Sequence, residues 1–390
     1  MESQFPKWPE FTSKEVEIAS SILKSGKVNY WTGNEGKHFE KEYANYCNTK
    51  YSIALANGSV ALTAAYKSIG VQKGDEIIMS SRTFIATASS AVILGAIPIF
   101  ADVEKDSGNI SAERIEALIT KKTKAIVAVH LGGWPADMHK INAIAKEYKL
   151  YVIEDCAQAH GAQINGVSVG SFGNAAAWSF CQDKIMTTAG EGGMITTSSQ
   201  KIWNYIWSYK DHGKDFNTVF KKKHPPGYRW LHESFGTNYR MTEIQSGIGR
   251  YQLSQLKKWN KIRTNNAGIL ANSLQEISSV HVPLPPKNIK HAWYKFYLHI
   301  DKESFLEDWS RDRIVDEISK KGFPIFTGSC SEIYMENCFK SANLRPDNRL
   351  PVAQELGEIS IMLLVHPTIK EEKMHQYADL VKSYLKKAKK

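Results

Sequence analysis

Lys184 is the residue in this chain best placed to form a covalent bond. It follows a strand-like run at 175–178 and precedes Gly190-Glu191-Gly192-Gly193 and a second apolar run at 194–197. A lysine boxed in this way is poorly placed for a solvated surface. An amine kept partly neutral by its surroundings is a nucleophile. Asp155 follows the run 151–154 and offers a carboxylate to a cationic partner. Gly58 and Ser59 follow the run 51–56 and open an Ala-rich helical stretch, where free N–H groups and the helix dipole favour a phosphate. Ser179 lies just beyond the run 175–178. One lysine, one carboxylate and one phosphate cradle are the parts that hold pyridoxal phosphate (PLP). Taken singly, each has a plainer reading: a structural lysine, a helix cap, an N-cap.

The elements that must position these residues can be read from hydrophobic periodicity. Apolar runs at 51–56, 76–79, 97–101, 125–130 and 151–154 alternate with amphipathic stretches at 60–69, 83–94, 112–119 and 138–148. This predicts an α/β domain with a largely parallel sheet buried on both faces. Ligands of such sheets bind at the carboxyl ends of the strands, where Gly58, Asp155 and Ser179 fall. A long helical pattern follows at 240–256 and continues through 259–274. Beyond the prolines at 283, 285 and 286, residues 293–300 alternate as a strand. Helices are expected at 312–320 and 369–387, with a loop-rich stretch at 323–350. The division predicted is a large α/β domain over 1–250 and a smaller α+β domain over 251–390.

The bulk properties exclude several classes. The chain has 390 residues, 42% of them hydrophobic and 23% charged, ample for a large core. No apolar run approaches the roughly 20 residues that cross a bilayer. Residues 1–10 are polar and hold two prolines, which predicts no secretory signal, and a cytoplasmic location is the expectation. Five cysteines without a CxxC spacing predict neither a disulfide scaffold nor a zinc site, and no metal is expected. The net charge of +10 owes part of its excess to Lys221–Lys223 and to the C-terminal lysines. Such runs can bind nucleic acid. They read more simply as a solvated loop and a helix end. No zinc-finger, RRM or helix-turn-helix pattern accompanies them, so no nucleic-acid partner is expected.

Six motifs in order give the chain a resemblance. They are Ala56-Asn57-Gly58-Ser59-Val60-Ala61-Leu62; Gly74-Asp75-Glu76-Ile77-Ile78; Arg82-Thr83-Phe84-Ile85-Ala86-Thr87; the block 154–162 with Asp155, Gln158 and His160; Ser179-Phe180 with Lys184 and the turn 190–193; and the block 236–243 with Asn238, Arg240 and Glu243. Together they resemble the DegT/DnrJ/EryC1/StrS family of PLP-dependent sugar aminotransferases, of the aspartate aminotransferase fold type I. The resemblance implies that Lys184 carries the cofactor and moves the proton, and that Asp155 partners the pyridine nitrogen. It implies that Gln158 lies near the ring hydroxyl and that Phe84 stacks on the ring. Gly58, Ser59 and Ser179 would hold the phosphate, with Asn238 reaching it from a neighbouring subunit, so that a homodimer is the minimum assembly. Arg240 and Glu243 are left as helix-start or interface residues, and His160 as a packing residue. Ser59 replaces the commoner Thr, and Lys210 stands where an Arg often precedes the His-Gly pair.

The resemblance implies transfer of an amino group from L-glutamate to a nucleotide-linked sugar. A 4-keto-6-deoxyhexose is expected, in surface polysaccharide (O-antigen type) or other glycan biosynthesis, with a 3-keto sugar as the rival. Sugar dehydratases of this family carry His at the position of Lys184, which favours transamination. A catalytically idle relative, or a PLP-binding regulatory protein that contacts nucleic acid, stays open at this point. The loops 26–33, 214–230 and 327–339 are expected to read the sugar and nucleotide.

Overall fold

The computed structural model describes residues 5–390. Its strands are β1 (Tyr51–Leu55), β2 (Glu76–Ser80), β3 (Ile97–Ala101), β4 (Thr123–Val129), β5 (Tyr151–Asp155), β6 (Gln163–Ile164), β7 (Val167–Ser168), β8 (Ala175–Ser179) and β9 (Gly193–Thr197). Then come β10 (Val280–His281), β11 (Ile289–Lys290), β12 (Phe296–Ile300), β13 (Ile325–Phe326) and β14 (Ser360–Leu363). Seven of them form one sheet in the order β1-β9-β8-β5-β4-β2-β3. All run parallel except β9, which lies antiparallel to both β1 and β8. The register sets Val129 beside Asp155, Asp155 beside Ala177, and Gly193 beside both Leu55 and Ser179. One edge therefore collects the carboxyl ends of β1, β8, β5, β4 and β2.

The apolar runs are continuous because both sheet faces are covered. Ile77, Met79, Ala125, Val127 and Ile153 enter one core. Their neighbours Ile78, Ile126 and Val152 enter the core on the opposite face. Successive strand residues point to opposite faces, so each strand feeds two layers of helices. Each of the larger buried side chains contributes roughly 1.5–3 kcal/mol.

A second core joins the four-stranded antiparallel sheet β10-β12-β14-β13 to the helices Arg311–Ser319, Pro351–Ile359 and Glu371–Ala388. The helix Glu243–Leu274 runs unbroken through 32 residues and serves both cores. Leu256 belongs to the large-sheet side, and Leu270 and Leu274 to the small-sheet side. The position 250/251 falls inside this helix. Its start is a capping box: Gln245 N–H donates to the Thr242 hydroxyl, and Thr242 N–H to Gln245 Oε1 at 3.0 Å.

Several boundaries differ from the periodicity. The helical stretch read as 83–94 is helical only over Ala86–Val92. Residues before it are held out of the helix: Ser80 Oγ accepts from Arg82 N–H, and the Ser81 carbonyl accepts from Ile333 N–H. The stretch 323–350 is less loop-rich than read, with β13 and the helix Asn337–Ser341 inside it. The strand read as 293–300 is paired only from Phe296.

Candidate active site

The carboxyl edge of the large sheet opens into a cleft of about 1070 Å³, walled on the far side by residues of the small sheet. Gly58, Ser59, Phe84, Asp155, Gln158, Ser179 and Lys184 all line it.

Asp155 ends β5 and is 6% exposed. Its Oδ1 accepts from Ala157 N–H at 3.1 Å and its Oδ2 from the Thr87 hydroxyl at 2.7 Å. The hydroxyls of Thr87 and Thr83 are 2.9 Å apart. Thr87 has one hydroxyl proton and gives it to Asp155, so Thr83 donates to Thr87. The strand end is also braced from behind. Glu154 Oε1 accepts from Phe172 and Gly173 N–H, and Oε2 from Gly170 N–H and His130 Nε2. His130 Nδ1 accepts from Ala136 N–H, which fixes its proton on Nε2. His130, Glu154 and Cys156 sit close enough to hold an ion, but this carboxylate is already hydrogen-bonded at both oxygens.

The helix Gly58–Ser68 points its first turn into the cleft. Asn57 caps it by accepting from Val60 N–H at 3.0 Å. The earlier N–H groups have no partner within the helix. Two glycines allow the close approach. A Cβ on Gly58 would stand 2.7 Å from Ser179 Cβ, and one on Gly193 would stand 2.2 Å from the Asn57 carbonyl oxygen. A side chain at either position would force the start of the helix away from the strand ends.

Lys184 lies in the segment that leaves β8 and returns as β9. Its N–H donates to the Cys181 carbonyl, and its own carbonyl accepts from Trp8 Nε1 at 2.7 Å. Thr187 N–H donates to Gln252 Oε1 and the Thr187 hydroxyl to the Phe180 carbonyl, which ties the segment to the long helix and to itself. The Lys184 side chain is only 16% exposed, with Nζ 3.9 Å from Asp183 Oδ1 and 5.0 Å from the centre of the Tyr294 ring. The Tyr294 hydroxyl donates to Asp183 Oδ2. Burial pulls the Asp183 carboxyl up, but Lys184, the Tyr294 hydroxyl and Lys295 outweigh it and hold it below the usual range.

Gln158 Oε1 accepts from Gly132 N–H at 2.7 Å, which leaves its amide nitrogen free to turn to the cleft. Phe84 is 66% exposed on the rim. His160 is buried and meets Trp178 and Phe180 edge-on; burial, then the charges of Lys184 and Arg263, pull it down to about 3.

Asn238 is the one expected site residue that stands outside this cleft. It is exposed, bridged to Asp211. Its segment is anchored by charge: Asp211 accepts from Arg240, Lys214 and Trp31 Nε1. Lys210 is fully buried, with Nζ 2.9 Å from Glu40 Oε1 and 3.9 Å above the Tyr30 ring. These contacts bind the loop 26–33 to the segment 210–240. Glu243 accepts from the N–H groups of Glu35 and Gly36, so it caps the helix Glu35–Cys47.

The small-sheet side adds Ser329 and Cys330, from the loop 327–339 expected to read the substrate, and Tyr294, Lys295 and Phe326, which the sequence did not single out as site residues. A signal existed for Lys295: it interrupts a run of buried residues on the strand approach.

Residues 9–382 match the profile of the DegT/DnrJ/EryC1/StrS aminotransferase family. A UDP-N-acetyl-3-dehydro-alpha-D-glucosamine 3-aminotransferase of Acidithiobacillus ferrooxidans is 33% identical over 382 residues, covering 96% of this chain and 95% of its own. A GDP-perosamine synthase of Escherichia coli O157:H7 is 31% identical over 366 residues and 94% of each chain. An X-ray structure of an aminotransferase from Psychrobacter cryohalolentis superimposes with a TM-score of 0.97 at 49% identity, covering 98% of this chain and 99% of that one. With a mostly parallel sheet, a lysine between β8 and β9 and this profile, the protein is a PLP-dependent aminotransferase of fold type I and belongs to the DegT/DnrJ/EryC1/StrS aminotransferase family.

Proposed function

We propose that the enzyme moves an amino group from L-glutamate to the keto group of a nucleotide-linked sugar, a 4-keto-6-deoxyhexose, in the making of a surface polysaccharide or related glycan. The observation that carries this reading is the convergence of Lys184, Asp155 and the glycine-cut N-terminus of the helix Gly58–Ser68 on one cleft. The donor set fits PLP: a lysine for the covalent bond, a buried carboxylate for the ring nitrogen and an open helix end for the phosphate.

PLP, when bound, supplies an electron sink that lets an amino group leave one carbon and join another. The protein does the rest. Lys184 holds the cofactor covalently. Its Nζ would be the group that moves the proton at the donor α-carbon and at the sugar carbon that receives the amine. Asp155, oriented by Thr87, keeps a proton on the pyridine nitrogen. Gln158 would border the ring hydroxyl and Phe84 would cover one ring face. Gly58, Ser59 and Ser179 take the phosphate. The partner subunit's Asn238 completes that phosphate shell, which makes a homodimer the working unit. The exposed Tyr228, Trp230 and Phe235 in the segment 210–240 support the dimer, since apolar surface of this kind calls for cover. The reaction is placed in the cytoplasm, with its glutamate and nucleotide pools. The helices themselves include none long and apolar enough to cross a membrane among the described residues.

A 3-keto sugar is the second reading, favoured by the Acidithiobacillus relative, which is named for amination at position 3. One experiment separates the two. Purified enzyme receives glutamate and a panel of nucleotide-linked 4-keto and 3-keto sugars, and 2-oxoglutarate is measured. Turnover with the 4-keto set supports the first reading and turnover with the 3-keto set the second. No 2-oxoglutarate with any acceptor, together with salt-sensitive DNA binding, would overturn both in favour of a regulatory protein.

A further inference from the structure

Among the described residues of one subunit, Lys184 and Lys295 are the two basic side chains that line the cleft. Lys184 is committed to the cofactor. An α-amino acid donor brings a carboxylate on the reacting carbon, and that charge needs a cation in a cleft that water leaves as substrate enters. We propose that Lys295 is the receptor for the donor's α-carboxylate, and so a specificity residue for the amino-donor half of the reaction. This rests on the aminotransferase reading above.

Position supports it first. Lys295 Nζ stands 4.6 Å from the centre of the Tyr294 ring, the same ring that Lys184 Nζ approaches at 5.0 Å. The two amines are neighbours across one aromatic side chain. That ring is fixed by its hydroxyl bond to Asp183. Lys295 is also tied to the cofactor side of the cleft. Its N–H donates to the Gly132 carbonyl at 3.2 Å, and Gly132 N–H donates to Gln158 Oε1.

Charge supports it second. Lys295 forms no ion pair within 4.0 Å among the described residues, whereas Lys184 has Asp183. A mostly buried cation whose only close partner is the face of an aromatic ring is under-compensated, and a ligand carboxylate would supply the missing ion pair. Burial pulls the Lys295 amine down to about 8, with Asp183 opposing and Arg263 and Lys184 adding to the fall. It is therefore charged below about pH 8 and neutral above. Asp183, Lys295 and Phe326 also face a neighbouring cleft of about 570 Å³, so the amine stands at a wall that substrate can reach from the solvent side.

The test uses the PLP-loaded enzyme and the variants Lys295→Met and Lys295→Arg. Glutarate, a dicarboxylate with no amine to react, serves as the binding probe in calorimetry at pH 7. Glutarate affinity and the KM for glutamate are expected to weaken about 10- to 100-fold in Lys295→Met, the scale of a lost charged hydrogen bond, with partial recovery in Lys295→Arg. The KM for the keto-sugar, measured on enzyme already loaded with the amino group, is expected to stay within about 3-fold, which also shows that the variant is folded. A rise in keto-sugar KM with glutamate and glutarate unchanged would assign Lys295 to the acceptor's diphosphate and sink the proposal. Loss of both together with a lowered melting temperature would assign it a structural role and sink it too. A wild-type enzyme that gives no 2-oxoglutarate fails the parent reading instead.

Discussion

Thr87 gives its single hydroxyl proton to Asp155 Oδ2 at 2.7 Å, and Thr83 in turn donates to Thr87. The carboxylate is thus aimed by a two-hydroxyl relay from the segment that also carries Phe84. Thr87→Val keeps the shape and removes the donor. We expect kcat to fall about 10-fold and stability by about 1 kcal/mol, with faster loss of PLP on dialysis. An unchanged rate and unchanged PLP retention would show that Asp155 needs no such aim.

Gly58→Ala forces a Cβ to within 2.7 Å of Ser179 Cβ, which is itself at the end of a paired strand. Neither backbone can retreat freely. The helix end must move off the strand, at a cost of roughly 1–3 kcal/mol. The expected readout is a PLP affinity at least 10-fold weaker with the absorbance maximum of any bound cofactor unshifted. Full occupancy at equal PLP would place the phosphate elsewhere.

Asn238 is exposed on its own subunit while Lys184 is enclosed. Neither Lys184→Ala nor Asn238→Asp alone is expected to turn over at more than about 1% of wild type, the scale of removing a charge-binding donor next to the reaction. Mixed and allowed to exchange subunits, they are expected to regain activity. A hybrid dimer holds one site with Lys184 from one chain and the partner's Asn238, both intact. Recovery measured against the unmixed pair tests sharing directly. Absence of recovery, with exchange verified by mass, would mean that Asn238 acts within its own subunit or not at all.

Acid should unfold this protein readily. His160, His291, His299 and His366 are each pulled down by burial to about 3. Unfolding restores each to its ordinary value near 6.5, so below that pH the unfolded chain binds protons that the folded one refuses. Stability therefore falls as pH drops, by up to about 1.4 kcal/mol per histidine per pH unit. His160→Phe retains the packing on Trp178 and Phe180 and removes one of the four. A urea titration between pH 7 and 5 should show a slope smaller by about one proton. An identical slope would mean that His160 protonates in place.

Much of the site could be read from the chain because its parts sit at the ends of apolar strands. Asp155 and Ser179 are announced by the runs before them, and Gly58 by the turn into an Ala-rich helix. Lys184 stands out because it lies in a short segment between two apolar runs, 175–178 and 194–197. Of the small-sheet wall only the loop 327–339 was legible, and Tyr294 and Lys295 were not. Lys295 is separated from Lys184 by more than a hundred positions, and only the packing of β12 beside β14 brings it to the cleft. The reversal of β9 is likewise invisible to periodicity, since an apolar strand reads the same in either direction. Arg240 and Glu243 looked like helix-start residues because their partners, Asp211 and the N–H groups of Glu35 and Gly36, come from distant turns.

The helix Glu243–Leu274 spans about 48 Å at 1.5 Å per residue. Near one end Gln252 grips the Lys184 segment through Thr187, and near the other Leu270 and Leu274 anchor the small sheet from which Lys295 comes. A strut of that length transmits tilt: a few degrees at its first turns become ångströms at its last. Changes far from the cleft, along the faces where it meets Ser13–Ser25 or Glu371–Ala388, will therefore tune the gap between the two amines without touching either. Directed variation of catalytic rate has a target there that no inspection of the cleft lining would suggest.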